Sequence, residues 1–271
     1  MDILQSFLLG LIQGLTEFLP ISSSGHLALG RYILGGDTEM GITFEVVVHF
    51  GTLCSIVIYY KNEILDLIKA GLRFLKSPGV AKEDHQVKTI GFILISMIPA
   101  FIVGFTLKDS IEDIFMNPLL VSGMLIVTGV ILFLTKFSKN PEGKVTTGKA
   151  FLIGISQALA MIPGISRSGS TISTSLYLGI SREEAANFSF LMVIPVIAGA
   201  MILQMGEAIE AGIDNSEITS LLVGFFTAFI SGYYALKYLI IILKKQGFHY
   251  FAYYCWLVGG IGLVWFMTQG V

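Results

Sequence analysis

The chain has 271 residues, of which 54% are hydrophobic and only 13% charged. A soluble globular domain usually carries about twice that share of charge. The excess, with a mean hydropathy of +0.78, argues against a soluble domain and for one bundle of membrane spans. A formal net charge of -2 gives no footing for a nucleic-acid partner, and none is expected. Cys54 and Cys255 both lie in apolar runs, which reads as two buried thiols without a disulfide or a metal framework.

The first apolar stretch, residues 3–34, is broken by Pro20 and the polar string Ser22, Ser23, Ser24, Gly25, His26. Proline and glycine interrupt a helix here. The remaining arms are short for a hydrocarbon core of roughly 30 Å, so the stretch reads as a re-entrant hairpin. A marginal span follows at 44–60, ending in the interfacial pair Tyr59 and Tyr60. Asp37 and Glu39, in the connection before it, read as solvated. Longer runs at 89–107 and 118–135 complete the first half. Residues 150–181 repeat the broken pattern around Pro163, Gly164 and the string Ser166, Arg167, Ser168, Gly169, Ser170. Spans at 185–205, 219–238 and 250–268 close the chain. The fold class expected is all-α: a polytopic membrane protein with six transmembrane helices and two re-entrant helical hairpins.

The connections at 61–88, 136–149 and 237–249 hold most of the lysines and arginines, including Lys82 and Lys139, whereas those at 108–117 and 206–217 are acidic. The positive-inside rule places the basic set in the cytoplasm. The crossings then require the two hairpins to enter from opposite faces. An internal repeat agrees independently. Shifted by 144 residues, Gln13, Leu15, Ile21, Ser22, Ser24 and Gly25 fall on Gln157, Leu159, Ile165, Ser166, Ser168 and Gly169, six identities in thirteen positions. Phe44 falls on Phe188. Each repeat, 1–135 and 150–271, is a hairpin followed by three spans. An odd number of spans inverts the second copy, as in folds that place polar sites at the midplane.

Gln13 and Glu17, four apart, share a helix face. The serines and Gly25 open the next half-helix, and a helix N-terminus suits an anion. Ser166, Ser168 and Gly169 repeat the device, and Arg167 adds a guanidinium suited to phosphate oxygens. The tips have diverged, with Glu17 opposite Met161, Ser23 opposite Arg167 and His26 opposite Ser170. One tip thus offers a carboxylate, hydroxyls and an imidazole, and the other a fixed cation, which together read as half-sites for phosphoryl transfer. The serines also suit plain helix caps. Glu45 and His49, another pair four apart, read as a buried hydrogen-bonded couple, with a supporting place behind the site as the alternative.

The run from Gln13 and Glu17 through Phe18-Leu-Pro-Ile-Ser-Ser-Ser-Gly-His26, with Pro163-Gly-Ile-Ser-Arg-Ser-Gly169 downstream, resembles the undecaprenyl-diphosphate phosphatase family linked to bacitracin resistance, over essentially the whole chain. The resemblance implies a catalytic core of Glu17, Ser23, His26 and Arg167. The half-helix starts, with Gln13 beside Glu17, offer Gln13, Ser22, Ser24, Gly25, Ser166, Ser168 and Gly169 as the residues around the substrate. The resemblance also implies a divalent cation, Mg²⁺ or Ca²⁺, with Glu17 as its ligand. It further implies a polyprenyl diphosphate substrate among membrane lipids, in the bacterial cytoplasmic membrane, at a site open to the outer face, and leaves room for a homodimer. His49 stands where the family often has glutamine. Ser23 and His26 both remain candidates for the nucleophile. A lipid transporter or flippase is the alternative function, and a structural membrane subunit a weaker third. The asymmetry of the tips favours an enzyme.

Overall fold

The computed structural model describes residues 2–33, 42–77, 79, 84–138, 142–211 and 218–269. Asp37, Glu39, Lys82 and Lys139 lie outside these. The described residues are helical throughout, with one isolated bridge between Gly143 and Ile180.

Among the described residues twelve α-helices follow in chain order. The first broken stretch forms α1 (Ile3–Phe18) and α2 (Ser23–Ile33), and the second forms α8 (Thr147–Leu159) and α9 (Arg167–Tyr177). Their second arms are 11 residues each, roughly 17 Å at 1.5 Å per residue, too short to cross a bilayer. Five helices are long and apolar enough to span it: α5 (His85–Thr106), α7 (Pro118–Leu134, extended by a 3-10 turn to Phe137), α10 (Arg182–Ala211), α11 (Ile218–Lys244) and α12 (Phe251–Gln269). The sixth candidate is α3 (Ile42–Tyr59), taken with α4 (Lys61–Lys76), which is bent from it by 78°. The chain is a multi-pass, all-α membrane protein.

Two connections read as loops are helical. α4 occupies much of the 61–88 segment, and α6 (Lys108–Phe115) most of 108–117. In α4 the apolar residues Leu65, Ile68, Leu72 and Leu75 recur at three- and four-residue spacing. Its charges fill the other face, so the strand-free, charge-rich composition hid an amphipathic helix. Cys255 is buried as expected, but Cys54 is only partly so; both are free thiols.

Packing links each hairpin to the other half of the chain. α1 runs along α11, and α8 along α5, while α7 pairs with α12 and α3 lies against α11 and α10. Glycines permit the close approach. A Cβ on Gly10 would meet the Gly224 carbonyl oxygen at 2.6 Å, and one on Gly154, 144 residues later, would meet that of Ser96 at 2.3 Å. Both distances are well inside van der Waals contact, so these helix pairs touch backbone to backbone, as small residues allow in membranes. The two hairpin breaks are thereby pressed together: Gly25 lies against Gly164, where an added Cβ would come within 3.1 Å of the Gly164 Cα.

Candidate active site

The break after α1 leaves Ser22 at φ 67, a left-handed conformation rare for serine and costly unless its surroundings hold it. They do so through the turn itself. The Ser22 hydroxyl accepts from the Gly25 N–H at 3.2 Å and lies 3.2 Å from the Ser24 hydroxyl, and the Ser22 carbonyl accepts the His26 N–H at 3.1 Å. The same bonds recur at the start of α9. The Ser166 hydroxyl accepts from the Gly169 N–H at 3.1 Å and lies 3.3 Å from that of Ser168, and the Ser166 carbonyl accepts the Ser170 N–H at 2.8 Å. Ser22, Ser24, Gly25, Ser166 and Gly169 thus shape the tips. Ser168 reaches across, donating to the Leu19 carbonyl at 3.4 Å.

What differs is the backbone before the serine. Gly164 carries the positive φ, +92, in the second tip. A side chain there would be strained and would also strike the Val121 carbonyl, 2.4 Å from an ideal Cβ. Thr128 of α7, 1% exposed, clamps this turn from below. Its hydroxyl donates to the Gly164 carbonyl at 2.8 Å and accepts from the Ser166 N–H at 3.0 Å.

On these turns stands one polar cluster. Glu17, whose side chain is 3% exposed, presents both oxygens to partners. Oε1 accepts from the Arg167 guanidinium of the opposite tip. Oε2 accepts from the Ser23 hydroxyl at 2.6 Å and from the Gln13 amide at 3.1 Å. A buried carboxylate needs such company, since burying an unpaired charge is strongly unfavourable. Gln13 is itself buried, and its Oε1 has no hydrogen-bond partner among the described residues. Arg167, with Ser168, Ser189, Phe190 and Val193, closes a small pocket over Glu17 and Phe18.

The cluster departs from the sequence reading at two histidines. His26 makes no bond to Ser23 or Glu17. Its Nδ1 lies 2.8 Å from the Ser22 carbonyl and its Nε2 3.0 Å from the Tyr254 hydroxyl of α12, against whose ring it stacks. The carbonyl can only accept, so Nδ1 carries a proton, and in the neutral ring Nε2 accepts from the tyrosine. His49 belongs nearer the chemistry than a couple with Glu45 implied: its Nδ1 is 2.8 Å from the Glu45 carbonyl oxygen, and its Nε2 faces Glu17 Oε2 at 4.0 Å. Its spacing to Glu45 was visible, but the contact with Glu17 crosses between helices. Nothing in the apolar runs around Thr128 or Tyr254 marks either residue.

Such a cluster holds a hydroxyl against a buried carboxylate, opposite a guanidinium. That is the geometry of an activated nucleophile facing an anion site.

Comparison with known proteins agrees in kind. The family described as Bacitracin resistance protein BacA matches residues 6–261. The chain is 43% identical over 264 residues to a protein named undecaprenyl-diphosphatase from Salinibacter ruber, covering 96% of this chain and 97% of that one. The like-named protein of Christiangramia forsetii is 42% identical over 274 residues, covering 99% and 100%. That of Bacteroides fragilis is 42% identical over 271 residues, covering 97% and 98%. Matched over nearly its whole length, the chain belongs to the bacitracin resistance protein BacA family.

Proposed function

We infer that the chain hydrolyses undecaprenyl diphosphate to undecaprenyl phosphate and inorganic phosphate, recycling a lipid carrier of cell-wall synthesis. The observation that carries the reading is the single cluster in which Glu17 holds Ser23 at 2.6 Å and meets Arg167 from the opposite hairpin. The relatives' shared name supports the substrate.

In the mechanism this geometry supports, the Ser23 Oγ attacks the terminal phosphorus while its proton passes to Glu17 Oε2. The bond to the bridging oxygen breaks and the lipid monophosphate leaves as an anion. Water then cleaves the phosphoserine, releasing phosphate and restoring the hydroxyl. Ser23 is favoured over His26 as nucleophile because it alone touches the carboxylate. His26, bound to the Ser22 carbonyl, holds the turn on which Ser23 sits. The Arg167 guanidinium and the Ser23, Ser24, Arg167 and Ser168 N–H groups at the starts of α2 and α9, which intrahelical bonds do not use, take the phosphoryl oxygens. The pocket over Glu17 encloses about 10 Å³, room for about one water. The terminal phosphoryl therefore enters as Arg167 exchanges Glu17 for the incoming oxygens.

A divalent cation fits the donors present, provided that the diphosphate completes its shell. Among the described residues no three His, Cys, Asp or Glu side chains converge on one point. Glu17, though, is bonded to the Gln13 amide nitrogen, and the oxygen of that amide has no hydrogen-bond partner among the described residues. Mg²⁺ is usually held by one or two carboxylates plus substrate phosphates. Glu17 and Gln13 would hold the ion, which when bound neutralises phosphoryl charge as a Lewis acid.

We place the two hairpins as inverted halves in the bacterial cytoplasmic membrane, with the site open outward. The basic segments around α4, between α7 and α8, and at the end of α11 support this orientation.

The test is phosphate release from undecaprenyl diphosphate by detergent-purified protein, with and without chelator. Release by the wild type that chelator suppresses and added Mg²⁺ or Ca²⁺ restores supports the reading. No release from folded protein, across chain lengths and metals, overturns it in favour of lipid transport. Release that chelator leaves unchanged keeps the enzyme and removes the metal.

A further inference from the structure

At the other end of the α3 and α10 pair lies a second pocket, of about 140 Å³. Tyr60, Glu63, Arg182, Glu183, Asn187 and Lys244 line it. It is not part of the Glu17 cluster. Phe190 stands between them, with its ring 6.0 Å from that of Phe18 on the catalytic side and 6.1 Å from that of Tyr60 on this one.

Two observations say where this pocket lies and what it would take. The first is depth. Its walls come from the junction of α3 with α4, the first turns of α10 and the last turn of α11. At that junction the chain turns by 78°. α4 then leaves Leu65, Ile68, Leu72 and Leu75 between 50% and 77% exposed along one side. Its polar side carries Glu63, Asp66, Lys69 and Arg73. A helix so patterned, continuing from a span at a right-angle bend, lies in the membrane interface with its apolar side in the acyl boundary. Tyr59 and Tyr60 at the bend belong at that level too. The pocket is thus at the depth of lipid headgroups.

The second is charge. Lys244 is paired with Glu183 at 3.5 Å. Arg182 and Glu63 have no ionic partner among the described residues, yet line the same pocket. The half-buried Arg182 has only a long bond to the Ser138 carbonyl, at 3.5 Å. One unpaired guanidinium and one unpaired carboxylate around a single cavity complement a dipole, not a lone anion. Arginine suits phosphate oxygens, and a carboxylate suits an ammonium that can donate hydrogen bonds.

We propose that this pocket binds the headgroup of an aminophospholipid, with the phosphodiester on Arg182 and the primary ammonium on Glu63. The lipid's acyl chains lie beside α4. The site is separate from the hydrolytic one and does not depend on the activity assigned to it.

Native mass spectrometry of the purified protein tests this with phosphatidylethanolamine, phosphatidylglycerol and inorganic phosphate as competing probes. The wild type is expected to retain phosphatidylethanolamine about tenfold more tightly than phosphatidylglycerol, the scale of one charge-assisted hydrogen bond. Glu63→Gln removes that preference while leaving phosphatidylglycerol retention unchanged, and Arg182→Ala weakens both lipids. Equal retention of the two lipids by the wild type overturns the proposal. So does a preference that survives Glu63→Gln in folded protein. Displacement of the lipid by inorganic phosphate would make the pocket an anion site instead. The wild-type comparison stands even if a variant fails to fold.

Discussion

Thr128→Val removes one oxygen from α7 and should cost far more than its size. The side chain is 1% exposed, and valine fills nearly the same space, so no cavity opens. The loss is two hydrogen bonds: the one donated to the Gly164 carbonyl at 2.8 Å, and the one accepted from the Ser166 N–H at 3.0 Å. Both backbone groups are then left buried within the membrane, where water does not replace the lost partner. Each orphaned group costs about 1–3 kcal/mol, so the pair amounts to roughly 2–6 kcal/mol if the turn holds its shape. If the turn relaxes, the penalty falls, but Arg167, next in sequence to Ser166, moves away from Glu17. Stability and turnover are therefore linked, and at least one must drop. Thermal melts and phosphate release of the purified variant read both. Thr106→Val is the control, since that exposed hydroxyl donates only to the Ile102 carbonyl within its own helix. A Thr128→Val protein that melts and turns over like the wild type would refute the clamp.

Three further outcomes follow from the geometry. Gly154→Ala places a Cβ 2.3 Å from the Ser96 carbonyl oxygen and should destabilise by about 1–3 kcal/mol, whereas Gly148→Ala, with nothing within 4 Å, should melt at or above the wild-type temperature; equal melts would deny the close approach of α8 to α5. Ser23→Ala should lower turnover by about a thousandfold or more while leaving substrate binding intact, as loss of a nucleophile does; near-wild-type turnover would return the role to His26. Tyr254→Phe keeps the ring stacked on His26 but removes the hydroxyl bonded to Nε2, and should reduce kcat about tenfold with little change in KM, about the value of one hydrogen bond; unchanged kcat would mean that the tyrosine does not position the histidine.

The helix inventory was largely legible because membrane spans are written in composition: an unbroken apolar run has few other readings. The breaks were legible because proline, glycine and clustered serines sit where a helix must stop. The Gln13–Glu17 contact was legible because four-residue spacing is local. What the sequence hid was contact between distant segments. Glu17 and Arg167 are 150 residues apart; the inverted repeat and their opposed chemistry pointed to tips that meet, but not to which side chains touch. Thr128 looks like any small residue in an apolar span, and its two bonds exist only once α7 packs beneath the second turn. His49 showed its spacing to Glu45, but the side of α3 it occupies relative to α1 is a packing outcome. α4 was passed over because its charges suggested a loop, although its apolar residues keep a helical period.

Central to the proposed mechanism is that Glu17 and Arg167 act as one unit from two hairpins. The direct test is the rate of phosphate release from undecaprenyl diphosphate by Glu17→Gln, Arg167→Ala and the double variant, all confirmed folded. If the pair is one catalytic unit, each single change abolishes most turnover and the double variant is little worse than the poorer single, because units of this kind are strongly non-additive. Independent effects that multiply in the double variant, or wild-type turnover in either single, would contradict it.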